Sequence, residues 1–246
     1  MYDGKIIRDN YFQISAWYDA MYVDDEIYKK EASQVDELIN KYKHSAGNNL
    51  LDLGCGTGPH IKYWADKYNV VGLDNNIQML KHACESWPQK MFVCGDMFNF
   101  SHLANFDIAT CLYGSIGYAE NIEMMEHGIA CVSKCLNSGG IYILAAGELK
   151  ESFEERVIIK TKKISTNNIG FRKIEMIKRV DENKGIICMN HKISTNEHTQ
   201  TYKFDMPISL FSKSDYRKAL TKNGFSIKEE KTTTEFRMGA FVCVKE

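Results

Sequence analysis

The chain has 246 residues, 44% hydrophobic and 26% charged, with 31 basic against 32 acidic residues and a formal net charge of -1 at pH 7. Length and composition are those of an ordinary globular protein, one domain or one domain with a large insertion. No basic excess attracts phosphates, which argues against nucleic acid as a partner and for a small molecule.

The opening "MYDGKIIRDNYF" is charged and lacks an apolar core segment, so it does not read as a signal peptide. No apolar run approaches the roughly 18 residues of a membrane span, and a cytoplasmic setting is expected. Residues 11–42 read as helix, with Ile27, Ala32, Val35, Leu38, Ile39 and Tyr42 near one face. From Asn49 the pattern changes. "NLLDLG" is a short apolar run, the mark of a strand covered on both faces. "HIKYWADKY" has helical spacing, "NVVGLD" is a strand, "NIQMLKHACESW" a helix, and "MFVCGD" and "FDIATCLY" strands. "NIEMMEHGIACVSKCL" is helix and "GGIYILAAG" strand. Strands alternating with helices predict a parallel sheet with helices on both faces.

After Glu148 the rhythm breaks. Residues 155–210 alternate with period two, through Ile174, Met176, Lys178 and Val180, then Ile187, Met189, His191 and Ile193, then Tyr202, Phe204, Met206 and Ile208. This predicts three or four antiparallel strands inserted into the α/β frame, each giving one apolar face to pack. "SKSDYRKALTKNGF" returns to helix, capped by Ser212 or Ser214 and ended by Gly224, and "SIKEEKTTTE" and "MGAFVCVKE" read as closing strands. The eight cysteines form no CxxC pair and mostly sit in apolar runs, which suits small reduced core residues. Cys131 and Cys135, one helical turn apart, read as packing; no metal site is expected.

The chemistry concentrates in "LLDLGCGTGPH", where three glycines follow a strand at alternate positions. A nucleotide-hydrolase phosphate loop needs GK[ST], but Pro59 and His60 follow Gly58. The dinucleotide pattern GxGxxG needs glycine at position 59, which weakens that reading. S-adenosylmethionine carries no phosphate, and its amino-acid end and ribose must lie on the turn. Gly54, Gly56 and Gly58 supply a bare surface for it, and Asp52 can meet its ammonium. Asp74, ending the second strand, can accept hydrogen bonds from vicinal ribose hydroxyls. Asp96 follows the third strand, so three signals fall in order at the carboxyl edge of a parallel sheet.

"LLDLGCGTG", "VVGLDNNIQML", "CGDM" and "FDIATCLYGSIGYAE" resemble the first four motifs of the Rossmann-like methyltransferases. That resemblance implies an α/β fold with a seven-stranded sheet of order 3-2-1-4-5-7-6, strand seven antiparallel, and S-adenosylmethionine as cofactor. It implies cofactor contacts at Tyr18, Asp52, Gly54, Cys55, Gly56, Gly58, Asp74, Asn75, Met79, Asp96, Met97, Leu112 and Tyr113. "WYDAMY", "GSIGY", "LFSKSDYRKALTKNGF" and "RMGAFVCV" further resemble the N,N-dimethyltransferases of nucleotide-linked amino sugars. There the resemblance implies acceptor contacts at Tyr22, Ser115, Tyr118 and Arg237, with Tyr22 and Tyr118 beside the reacting nitrogen and Arg237 at the diphosphate. It also implies a single unit over 1–246, with 151–206 a β insertion on the acceptor side that can mediate a homodimer. Two features depart from that branch: "AAGEL" replaces an EPW-type motif, and Met206 stands where a histidine is expected.

His60 and His82 read as surface residues, His191 as a satisfied sheet histidine, and Trp17, Trp64 and Trp87 as packing. Methyl transfer is an in-line displacement, so the protein mainly aligns the nucleophile and excludes water. The alternative readings are a methyltransferase for a carboxylate, a hydroxyl or a tRNA base, and a non-catalytic S-adenosylmethionine-binding protein.

Overall fold

The computed structural model describes residues 4–164 and 169–246. The reading of the first three residues as part of a charged N-terminus lies outside them. The chain opens with α1 (Gly4–Ile14), a 3-10 turn (Ser15–Trp17), α2 (Tyr18–Tyr22) and α3 (Asp25–Tyr42). The single helix expected over 11–42 is therefore broken. Val23 follows α2 in extended conformation, and the Asp24 carboxylate accepts from Ile27 N to cap α3.

The alternating part then runs β1 (Asn49–Leu53), α4 (Ile61–Trp64), β2 (Asn69–Asp74), α5 (Ile77–Ser86), β3 (Met91–Cys94), β4 (Phe106–Cys111), α6 (Ile122–Cys135) and β5 (Leu136–Leu144). The helix expected through "HIKYWADKY" is one turn only. Lys67 N and Tyr68 N both donate to Trp64 O, which tightens the chain into turns. Four strands follow: β6 (Arg156–Ile164), β7 (Ile169–Arg179), β8 (Lys184–Ser194) and β9 (Thr199–Ser209). The chain closes with α7 (Lys213–Lys222), β10 (Phe225–Lys231) and β11 (Ala240–Lys245). Ser212 and Asp215 form a reciprocal capping box for α7, and Gly224 takes φ +75° after it. The strand expected through "KTTTE" stops at Lys231, because the Glu235 carboxylate accepts from Thr232 N and Oγ1 and closes a turn.

The seven-stranded sheet runs β3-β2-β1-β4-β5-β11-β10, parallel except for β11, which is antiparallel to both β5 and β10. That is the predicted order, with β10 and β11 as sixth and seventh strands. One face carries Leu50, Ile108, Ile141 and Ile143 against Val35, Leu38 and Ile39 of α3 and Trp64 of α4. The other carries Leu51, Leu53, Ala109 and Leu144 against Met125, Ile129 and Val132 of α6 and Ala219 and Leu220 of α7. Cys131 and Cys135 are buried in α6, and all eight cysteines are free. No helix among the described residues is long and apolar enough to cross a membrane.

The second sheet, β6-β7-β8-β9, is antiparallel throughout. Its inner face packs Met189, Phe204 and Met206 on Ile14 and on Tyr11, Tyr18, Tyr22 and Tyr118. The face expected for β7 is reversed. Phe171, Lys173, Glu175 and Ile177 are buried, whereas Met176 and Lys178 are exposed and Ile174 is half-buried. Val180 lies beyond the strand and is 52% exposed.

Candidate active site

A cavity opens at the carboxyl ends of β1, β2, β3 and β4, where two halves of the parallel sheet diverge. Gly54 N and Cys55 N donate to Leu73 O, which draws the glycine turn across β2. Gly54, Gly56 and Gly58 have φ of +68°, +57° and +74°, a region that disfavours side chains. A Cβ on Gly54 would meet Ser115 Oγ at 2.9 Å. One on Gly56 would meet no protein atom within 4 Å, so it would occupy cavity space that the bare turn leaves for a ligand.

Two carboxylates face this space. Asp74 Oδ2 accepts from Gly56 N and Oδ1 from Asn76 N, each at 2.8 Å. A carboxylate has about four acceptor positions, so lone pairs remain for a diol. Burial raises its pKa above the usual carboxylate range, against the lowering effect of the backbone N–H groups. Asp52 is 3% exposed and accepts from Thr110 Oγ1 at 2.8 Å. Burial pushes its carboxyl up to about 6. Two desolvated carboxylates beside a glycine turn suit a ligand with an ammonium at one end and a diol at the other. The donor set therefore fits S-adenosylmethionine.

Of the residues predicted from sequence, Tyr18, Asp52, Gly54, Cys55, Gly56, Asp74, Asn75, Met79, Asp96, Met97, Leu112, Tyr113, Ser115 and Tyr118 line the cavity. Gly58, Tyr22 and Arg237 do not. Gly58 turns the chain into α4 against Ile61. Tyr22 sits behind the wall, its ring stacked on Tyr18 with centroids 4.8 Å apart. Arg237 lies in the turn between β10 and β11, hydrogen-bonds the Tyr113 hydroxyl and places its guanidinium 3.9 Å from that ring centroid. Tyr113 itself holds φ +57°, uncommon for an aromatic residue, and stacks on Tyr28. Arg237 thus reaches the cavity through Tyr113.

Several wall residues were not singled out as site residues from sequence. Tyr11 shares a 2.8 Å hydrogen bond with the Tyr118 hydroxyl, and burial raises Tyr118 to about 12. Tyr28 and His60 also line the cavity. The surface position expected for His60 is wrong: it is 4% exposed, stacks on Trp64 and meets Glu31 Oε2 at 2.9 Å. Asn76 caps α5 through Gln78 N and Met79 N, while its Nδ2 donates to Arg8 O, tying α1 to the glycine turn. Its signal was present in "DNNIQML", an asparagine just before an amphipathic run.

His191 differs most from the expectation of a satisfied sheet residue. It is fully buried, its Nε2 shares a 2.6 Å hydrogen bond with the Tyr22 hydroxyl, and its Nδ1 has no partner. Burial pulls it down to about 4, so it is neutral at working pH. Burial also raises the Tyr22 phenol, with the Glu175 charge adding to the rise, and it stays protonated.

Residues 50–140 match the model of the methyltransferase domain family. The chain is 28% identical over 140 residues to the dTDP-3-amino-3,4,6-trideoxy-alpha-D-glucopyranose N,N-dimethyltransferase of Streptomyces venezuelae, covering 56% of this chain and 59% of that one. It is 23% identical to the dTDP-3-amino-3,6-dideoxy-alpha-D-glucopyranose N,N-dimethyltransferase of Streptomyces fradiae, over 81% of this chain and 78% of the relative. In fold it is similar to the crystal structure of Streptomyces venezuelae DesVI, with TM-score 0.82, 22% identity and full coverage of both chains. Residues 50–140 thus carry a methyltransferase domain, and the glycine turn, the paired carboxylates and the 3-2-1-4-5-7-6 sheet agree with an S-adenosylmethionine-dependent methyltransferase.

Proposed function

We propose that this protein transfers a methyl group from S-adenosylmethionine to the amine of a nucleotide-linked amino sugar. The observation that carries the acceptor class is the pair of relatives named above, both N,N-dimethyltransferases of dTDP-linked amino sugars. The placement of Tyr11, Tyr18 and Tyr118 at the junction of the two sheets supports it, because they would flank a small organic acceptor, with Tyr22 stacked behind Tyr18.

Bound in the cavity, S-adenosylmethionine supplies an already activated sulfonium methyl. Asp52 would hold its ammonium and Asp74 its ribose diol, while Met97 and Leu112 offer apolar contact to the base. Tyrosine faces of Tyr18 and Tyr118 favour positive charge at the reacting end. The linked hydroxyls of Tyr11 and Tyr118 fix the wall that the nucleophile approaches, which converts binding energy into alignment. Arg237 is the cation that would meet the diphosphate; its planar fork suits that group, and Tyr113 pre-orients it. Residues 151–206 form the acceptor side of one unit over 1–246. The free edge of that sheet, with Val157 60% and Ile159 57% exposed, is where a second copy would pair. The near-neutral charge disfavours a tRNA acceptor.

The test is a turnover panel of thymidine-diphosphate amino sugars beside free amines, carboxylates and hydroxyl compounds, read by product mass. Methylation of the sugar nucleotide amine supports the reading. Turnover only of acceptors lacking a diphosphate overturns the sugar assignment, and turnover only of carboxylates or hydroxyls overturns the amine.

A further inference from the structure

Over β7, β8 and β9 the inner face of the inserted sheet is mostly apolar, and its buried charged and imidazole side chains gather at one place, with Lys160 of the edge strand β6 opposite Lys173. In register, Lys173 lies opposite His191, which lies opposite Tyr202; beside them Glu175 lies opposite Met189, which lies opposite Phe204. Two charges and an imidazole thus occupy positions whose neighbours are Met189, Ile193, Phe204 and Met206. Lys173 Nζ is 2.9 Å from a Glu175 oxygen, with side chains only 10% and 12% exposed. A pair so desolvated is a poor source of stability, so another role has to account for it. All three side chains converge on Tyr22. His191 Nε2 is 2.6 Å from its hydroxyl, Glu175 Oε1 accepts from it at 3.4 Å, and Lys173 Nζ sits 4.0 Å from the ring centroid.

The consequence for the Tyr22 proton is the same in both imidazole tautomers. If Nε2 is bare, the phenol donates to His191. If Nε2 carries the proton, it donates to the phenol oxygen, and the phenol proton goes to Glu175. Either way the proton is committed inside the cluster, and the Tyr22 oxygen keeps a lone pair without a proton. The orphaned His191 Nδ1 underlines that the ring is placed for its Nε2 contact.

We propose that Glu175 and His191 are positioning residues for the acceptor amine, acting through Tyr22. They fix the phenol oxygen as a hydrogen-bond acceptor for an N–H of the incoming amine, which turns the nitrogen lone pair toward the methyl donor. Displacement of Tyr18, which lines the cavity and stacks on Tyr22, would open that oxygen to the acceptor while the bonds to Glu175 and His191 hold. The proposal rests on the reading of the protein as an amine methyltransferase.

The experiment is a double-mutant cycle on kcat, with the preferred amine of the turnover panel and saturating S-adenosylmethionine. Tyr22→Phe, Glu175→Gln and His191→Gln should each lower kcat about tenfold, the scale of one hydrogen bond realised in the transition state. Calorimetric affinity for S-adenosylhomocysteine should stay within about twofold, which also reports that each variant is folded. In the Tyr22→Phe background neither second substitution should lower kcat further, because both act through the missing hydroxyl; a general packing defect would add. Unchanged kcat in both Glu175→Gln and His191→Gln, or additive losses, would overturn the proposal and leave the amine reading standing. Wild-type protein that methylates no amine removes both together. Should Glu175→Gln not fold, His191→Gln alone completes the cycle.

Discussion

Asp52 ties stability and cofactor binding together with opposite signs. Burial pushes its carboxyl up from an ordinary 3.8 to about 6. The folded protein therefore holds a proton on Asp52 more tightly than the unfolded chain does. Between these two values stability falls as pH rises, because folding must bury a charge that the unfolded chain leaves in water. About two pKa units correspond to about 3 kcal/mol of cost, fully present above pH 6. Asp52→Asn removes the charge and retains an oxygen for the Thr110 hydroxyl. At pH 8 the ligand-free variant should be more stable by up to about 3 kcal/mol, or roughly 6–12 °C at 2–4 °C per kcal/mol for a chain of this size. The gain should drop to about half at pH 5 and nearly vanish by pH 4, where the wild-type group is already protonated. Cofactor affinity should move the other way. Loss of a charged hydrogen-bond partner for the ammonium costs about 1.5–3 kcal/mol, roughly ten- to over a hundredfold in Kd. Thermal unfolding across pH 4–8 and calorimetry with S-adenosylhomocysteine measure both. A pH-independent change in stability, or unaltered affinity, would refute the reasoning.

Asp74→Ala should weaken S-adenosylhomocysteine binding by about 1.5–3 kcal/mol in calorimetry and also lower the melting temperature of the ligand-free protein, because Gly56 N and Asn76 N lose their acceptor. Gly54→Ala forces a side chain into positive φ against Ser115 Oγ, and should cost about 1–3 kcal/mol in thermal unfolding while weakening the cofactor. Tyr118→Phe breaks the bond to Tyr11 and should lower kcat in the turnover assay, with cofactor affinity nearly unchanged. Arg237→Ala should raise KM for a diphosphate-bearing acceptor. Since Arg237 also braces Tyr113, a smaller loss of cofactor affinity, about 0.5–1 kcal/mol, should accompany it in calorimetry.

The parallel sheet was legible because each of its strands announces itself twice, by an apolar run and by what ends it. Asp52 to Gly58, Asp74 and Asp96 stand at three successive strand ends, and the topology brings strand ends together whatever the helices do. Helix limits were less legible where tertiary bonds decide them. Val23 in extended conformation ends one helical segment and Asp24 starts the next, and the Trp64 carbonyl takes two donors where a longer helix would give it one. Arg237 and Tyr22 show a different limit. Both were assigned to the acceptor from motif order, yet motif order carries no information on what stands between a side chain and the cavity. Tyr113 intervenes in one case and Tyr18 in the other.

β7 was misread for a reason that bears on function. Period-two alternation was present, but the apolar choice, Ile174 and Met176, pointed the strand the wrong way. The physical driving force for burying Ile174 and Met176 in place of Lys173 and Glu175 amounts to several kcal/mol, from apolar area on one side and charge desolvation on the other. The register that buries the charges is nevertheless fixed by long apolar ladders on β8 and β9, where Met189, Ile193, Phe204 and Met206 all point inward. The strand thus accepts two charges on its inner face because Phe171 and Ile177 at its own ends, together with its neighbours, set the pleat. Sequences depart from local rules in this way mainly at functional sites, where the cost is offset elsewhere in the fold. Here the departing residues, Lys173 and Glu175, sit with His191 around one phenol at the junction between the inserted sheet and the cofactor cavity. The alternation that failed to orient the strand marks the place where charge, in place of apolar area, is held inside the sheet.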